Sequence, residues 1–177
     1  IQKWVDTVIR QQQGGFRPNK STRDVVFGLW RDMERKWRRK ESFVVTFIDF
    51  KKAFDSLVWE VLWKVMECLG CPAKMVAVVR SLYSQSSISI RLSNEGELAP
   101  KFMQKKGTRQ GSGLSPCIFT MPVDFAMRVA DLACEELGMV IDEDKMHAYA
   151  DDVGDRNPNE DEASASLQEF EAAAAAV

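Results

Sequence analysis

Two short apolar runs that end in carboxylates constrain this chain more than any other feature. The first, Val44 to Phe50, reads VVTFIDF. Its β-branched and aromatic content predicts a buried strand, with Asp49 inside it. The second, Met146 to Ala150, reads MHAYA and runs straight into Asp151 and Asp152. A carboxylate buried in a strand is costly without a partner. Two side by side raise each other's pKa unless a cation lies between them. If the strand and the tip of a hairpin after Ala150 are neighbours in one sheet, all three aspartates meet. Magnesium suits such a cage because it takes hard oxygen ligands. Two such ions ~3.5–4 Å apart serve in-line phosphoryl transfer. An Asp-Asp pair alone decides little, because polar turns are rich in them. The third aspartate gives the pattern its content.

The elements between these runs point to an α+β fold, an antiparallel sheet backed by helices. Ser21 opens a helix, with Asp24 as a capping-box partner, and Val25, Val26, Leu29, Trp30, Met33 and Trp37 on one face. Arg31, Arg35, Arg38 and Arg39 take the other face, and the run Arg35 to Lys40 reads as solvated helix surface rather than a nuclear address. Further helices are predicted from about Asp55 to Leu69, from Ala73 to Tyr83, and from Ser115-Pro116 to about Leu137. Ser87 to Leu92 alternates like a strand, Asn94-Glu95-Gly96 is a turn signal, and Phe102 to Lys106 is the expected return. A last helix is expected around Leu167 and Phe170.

At 177 residues, 45% of them hydrophobic, the chain suits one packed domain. The longest uncharged stretch, between Arg109 and Asp124, is 14 residues. A membrane span needs ~20, so a soluble protein without a membrane partner is expected. Net charge is −2, yet residues 1–110 carry 21 Lys and Arg against 11 Asp and Glu, while residues 111–177 carry 3 against 15. A basic half suits a polyanion and an acidic half gathers cations. Cys68, Cys71, Cys117 and Cys134 lack zinc-site spacing, with His147 the single histidine. They read as small buried residues of a reducing, intracellular compartment, nuclear or cytoplasmic. Nothing selects an oligomeric state.

Asp49-Phe50-Lys51-Lys52-Ala53-Phe54-Asp55, then Gly107-Thr108-Arg109-Gln110-Gly111 with Leu114-Ser115-Pro116, then Tyr149-Ala150-Asp151-Asp152, resemble three successive motifs of reverse transcriptases, those of non-LTR (LINE-type) retrotransposons above all. Gly14 to Thr22, GGFRPNKST, is similar to a fourth motif, in the fingers of that family. The four stand in the family's order across roughly residues 11–153. The resemblance implies a right-hand polymerase fold, with residues 1–43 as partial fingers and 44–153 as palm. It implies an RNA template, a DNA primer, deoxynucleoside triphosphates and two magnesium ions, with manganese as a substitute. Asp49, Asp151 and Asp152 would be the catalytic, metal-binding carboxylates, joined by the backbone of Phe50 beside the triphosphate. Phe54 would exclude a 2′-hydroxyl, and Gln110 and Gly111 would approach the nucleotide. Arg17 would meet the phosphates, and Tyr149 and Arg109 the primer and template. The duplex would lie across the basic half, held through its phosphates.

The sequence also departs from that pattern. Val153-Gly154-Asp155-Arg156-Asn157-Pro158 replaces an apolar returning strand and is expected to make a poor one, since glycine weakens a strand and proline removes a donor. Gly113 stands where a proline is common in the family. Residues 154–177 are therefore expected to be a degenerate or truncated tail, with no thumb and without the lysine that the family supplies beyond the hairpin. The start at Ile1 and the terminal alanines suggest a fragment. On this reading the isolated chain extends a primer on RNA poorly or not at all. The alternative is a noncatalytic nucleic-acid-binding remnant of a retroelement. Phe54 and the Tyr-Ala-Asp-Asp sequence argue against an RNA-templated RNA polymerase.

Overall fold

A computed structural model describes residues 1–177 except Glu95, Gln110, Glu143, Asp144 and Val177. Helices α1 (Gln2–Val8) and α2 (Thr22–Arg38) precede strand β1 (Val44–Ile48). Then come α3 (Ala53–Ser56), α4 (Trp59–Cys68), α5 (Ala73–Ser84), and two short strands, β2 (Ser87–Ile88) and β3 (Phe102–Met103). Helix α6 (Ser115–Glu136), the hairpin of β4 (Met146–Tyr149) and β5 (Asp152–Asn157), and helix α7 (Glu160–Ala175) complete the chain. The fold is α+β. Its main sheet runs β1-β5-β4, antiparallel throughout, and β2 and β3 form a separate antiparallel pair.

Helix α6 is the hub. Its apolar residues point to two sides, so it joins both halves of the core. Cys117, Ile118 and Met121 pack with Leu62, Met66, Val76 and Val79 of α4 and α5. Phe119, Val123, Met127 and Ala130 pack with Met146, Ala148 and Val153 of the sheet and with Phe170 of α7. Side chains alternate across a strand, so one face of the hairpin meets α6 and α7 while the other meets α2. The predicted capping box is present: the Ser21 amide and hydroxyl both donate to Asp24 Oδ2, each at 2.7 Å. Those bonds hold the Asp24 carboxyl below its usual pKa, the hydroxyl contributing most.

Several expectations need correction. The segment after the two aspartates is a full strand, and the central one. β5 pairs with β1 from Val44↔Asn157 to Ile48↔Val153, and with β4 on its other side. Its polar residues Asp155, Arg156 and Asn157 are buried and only partly paired inside. Asp155 is wholly buried and takes a hydrogen bond from Asn157 Nδ2 at 2.7 Å, with Lys145 Nζ at 3.9 Å. Arg156 reaches Asp142 at 2.8 Å. Leu29 of α2 lies 3.5 Å from where a Cβ on Gly154 would be, an ordinary contact distance. The sheet therefore runs past residue 153, and the last helix expected around Leu167 and Phe170 is present as α7, packed on the sheet.

Helix α2 is also rotated from the expected face. Val26, Trp30 and Trp37 are 64%, 54% and 76% exposed. Asp32 is buried instead, because His147 Nε2 on β4 lies 3.1 Å from its Oδ2 and Arg35 pairs with its other oxygen. Cys68 is exposed, unlike Cys71, Cys117 and Cys134, and all four thiols are free. β1 is half-buried rather than buried. The turn predicted at Asn94-Glu95-Gly96 falls partly outside the described residues. Among the described residues, no helix is long and apolar enough to cross a membrane.

Candidate active site

The site is built by strand register. Tyr149 pairs with Asp152 across the β4–β5 hairpin, which leaves Ala150 and Asp151 as its two-residue turn. Ala150 adopts a left-handed conformation, φ 60°. Ile48 pairs with Val153, so the residue just after β1, Asp49, comes level with Asp152. The backbones of Asp49, Asp151 and Asp152 thus share one end of the sheet. Asp49 and Asp152 line one cavity of about 270 Å³, together with Tyr149, Ile48 and the α2 residues Val25 and Leu29.

Asp49 lies just past the end of β1 and is exposed, not inside an apolar strand. Burial therefore does not force it to seek a cation. Asp151 is half-buried, Asp152 is exposed, and none of the three carboxylates has a hydrogen bond or an ion pair among the described residues. Three residues with hard anionic oxygen donors, sharing one sheet end without an internal cation, fit a divalent ion in kind. Their side chains are not gathered into a closed cage: among the described residues no three carboxylate, histidine or cysteine groups cluster closely enough to hold a metal.

Aromatic rings link the remaining predicted residues. Phe54 stacks on buried Phe119 with ring centroids 4.2 Å apart. Phe16 meets Phe54 edge-on at 6.2 Å and Tyr149 at 6.4 Å. Phe16, which the sequence reading did not single out, therefore connects the helix after β1 with the aspartate hairpin. Phe50 is half-buried and sets its ring 5.8 Å from Phe170 of α7.

The glycine-rich segment before α6 is tied to the same corner. Thr108 N donates to Phe54 O at 2.7 Å, and Gly107 N to Leu57 O at 2.7 Å. Gly107 has φ +80°, and a Cβ there would meet Asp55 O at 2.9 Å, so a side chain is excluded on both counts. Arg109 is held on α5: its Nε donates to Ser86 Oγ at 3.0 Å, its NH2 to Leu82 O at 2.6 Å, and it lies over the Tyr83 ring. Gly111, φ +83°, has open space around it. Gln110 lies outside the described residues.

Arg17 is not free to meet a phosphate. It is 7% exposed, and its guanidinium makes four hydrogen bonds within the protein. Nε donates to Asp6 Oδ1 at 2.6 Å, NH1 to the Arg10 and Gln13 carbonyls at 2.7 and 3.1 Å, and NH2 to Asp6 O at 3.0 Å. It clasps the loop that carries it. The sequence reading also missed the His147–Asp32 pair and buried Gln13. All three are polar groups whose partners stand far along the chain, so local pattern gave no signal for them.

The four sequence motifs come together at this sheet end, with its carboxylates, neighbouring aromatics and glycine loop. The family of reverse transcriptases (RNA-dependent DNA polymerases) matches residues 1–177, and this chain belongs to it. Among curated proteins it is 26% identical over 117 residues to the retrovirus-related Pol polyprotein of the type-2 retrotransposable element R2DM of Drosophila melanogaster. That match covers 66% of this chain and 11% of the polyprotein. The chain is 29% identical over 169 residues to a probable RNA-directed DNA polymerase from transposon BS of Drosophila melanogaster, covering 92% of the chain and 17% of that protein. The chain thus spans less than a fifth of the relatives it matches. Both relatives are proteins of transposable elements, and the family works with divalent metal ions and binds template, primer and nucleotides.

Proposed function

We propose that this domain catalyses RNA-directed DNA synthesis, adding deoxynucleotides to a DNA primer annealed on an RNA template. The observation that carries the reading is the meeting, at one end of the β1-β5-β4 sheet, of three carboxylate residues without internal partners. The sheet with α6 and α7 is the palm of a right-hand polymerase, and residues 1–43 are part of its fingers. Asp49, Asp151 and Asp152, with the backbone of Phe50, would hold two divalent cations, magnesium or manganese, which when bound neutralise the attacking and leaving oxygens. Phe54, wedged between Phe119 and Phe16, is stiff enough to bar a 2′-hydroxyl from the sugar site. Gly111 offers open backbone to the nucleotide, with Gln110 beside it. Tyr149, next to the turn, faces the primer end, and Arg109 the template. The basic residues of the first 110 positions would grip the duplex through its phosphates.

A second reading, binding without chemistry, draws on the open arrangement of the carboxylates. Addition of a single labelled deoxynucleotide to a primer on RNA separates the two, since it needs one turnover and not sustained extension. Under the first reading the purified chain adds the nucleotide with magnesium or manganese, and Asp151→Asn does not. If wild type binds primer–template but adds nothing with either metal, the noncatalytic reading stands.

A further inference from the structure

We infer that Gln13 is a positioning residue for the aspartate turn, acting as a splint between the glycine loop and Ala150. Gln13 is wholly buried although its side chain is polar. Its Oε1 accepts from the amides of Gly15 at 2.8 Å and Ala150 at 3.0 Å, and its Nε2 donates to Ala150 O at 3.1 Å. One primary amide therefore satisfies both backbone polar groups of the residue that immediately precedes Asp151. The reversed amide would set two donors against two N–H groups, so the hydrogen bonds fix its orientation.

Ala150 needs this support. A non-glycine residue at φ 60° is held in a sparsely populated conformation, and such conformations persist only where surroundings over-determine them. The surroundings here come from the far end of the sequence. Gly14 N donates to Ala148 O at 2.8 Å and Ala148 N to Gln12 O at 2.9 Å, so residues 12–14 run along the outer edge of β4. Gly15 lies so close to Ala150 that a Cβ would sit 2.2 Å from its nitrogen. Arg17, donating to Gln13 O and to Asp6, then anchors the loop to α1. Held from α1 through Arg17 and Gln13 to Ala150, the turn that carries Asp151 and Asp152 has its backbone direction set before any ligand arrives. This gives buried Arg17 and Gln13 a part in the site without either reaching substrate.

The inference rests on the proposed metal-binding role of the turn, so its test has one arm that needs no metal. Amide exchange of Ala150 is measured on the 177-residue chain, beside Mn²⁺ binding read by electron paramagnetic resonance. In Gln13→Ala the Ala150 amide should exchange at least about tenfold faster, while amides in the core of α6 keep their protection, as a local opening requires. Mn²⁺ affinity should fall by about tenfold, the range seen when groups that orient metal ligands are lost. Gln13→Glu is the rescue variant, and it also serves if Gln13→Ala does not fold. Protonated, glutamic acid reproduces all three hydrogen bonds, so Ala150 protection should return at low pH and weaken as the carboxyl ionises. Unchanged Ala150 exchange in Gln13→Ala, or Ala150 protection in Gln13→Glu that ignores pH, overturns the splint. If wild type takes up no Mn²⁺, the metal-binding reading falls, and Ala150 exchange decides the splint alone.

Discussion

At the scale of single residues, the site depends on backbone approaching backbone. Gly15→Ala should force the loop off the hairpin, because the new methyl would overlap the Ala150 nitrogen and Cα. We expect a loss of about 3 kcal/mol or more in urea unfolding, at the upper end for overpacking, since backbone cannot repack as a side chain can. A loss below about 1 kcal/mol would mean that the loop has room to yield. Asp49, Asp151 and Asp152 were legible in the sequence as residues that share one end of a sheet. Their surroundings were not. An apolar flank around Asp49 reads the same whether the residue lies mid-strand or one step past the strand's end, and only pairing with β5 decides. Arg17 shows the converse. An arginine in a polar, glycine-rich loop looks solvated until its partners, Asp6 and two carbonyls, are seen.

At the scale of elements, helices were read well where their signals are local. The Ser21–Asp24 box, the Gly70-Cys71-Pro72 stop after α4, and Ser115-Pro116 at the start of α6 all act within a few residues. β5 was misread because its stability is entirely nonlocal. Its Asp155, Arg156 and Asn157 are polar by composition, yet each is buried. Gly154 sits in the middle of that strand without a left-handed φ, and a Cβ there would make ordinary contacts with Leu29, His147 and Phe47. Gly154→Ala should therefore raise stability by about 0.5 kcal/mol through the unfolded chain, read as a shift in the urea midpoint at constant slope. A destabilised variant would show that α2 presses on β5 more tightly than these contacts imply. The rotation of α2 has the same lesson: its apolar stripe was visible, but one buried polar contact, Asp32 with His147, goes with the part of the helix that meets the sheet.

At the scale of the whole molecule, two apolar clusters meet along α6, and a polar knot lies at the opposite end of the sheet from the aspartates. In that knot Lys145 donates to Ser166 Oγ at 2.7 Å and stands beside Asp155. Both ionic side chains are almost fully buried. Asp155→Leu alone should cost about 3–5 kcal/mol, since it strands a buried ammonium, whereas Asp155→Leu with Lys145→Met should recover most of that loss. Equal losses in the single and double variants would show that the pair is not what holds β5 in place. The knot also accounts for a central strand of such polar composition, on which the register of the site depends.

The central claim is that residues 49, 151 and 152 act on shared divalent ions, and thermal unfolding with and without magnesium tests it most directly. A ligand that binds the folded state alone stabilises it by about 2.7 kcal/mol at a hundred times its dissociation constant. Wild type should melt higher as magnesium is added. Asp49→Asn and Asp151→Asn should each abolish the rise, and without magnesium they should melt at or above wild type, because each removes one of the crowded negative charges. A wild-type melting point indifferent to magnesium, or a rise that survives in Asp49→Asn, would contradict the account.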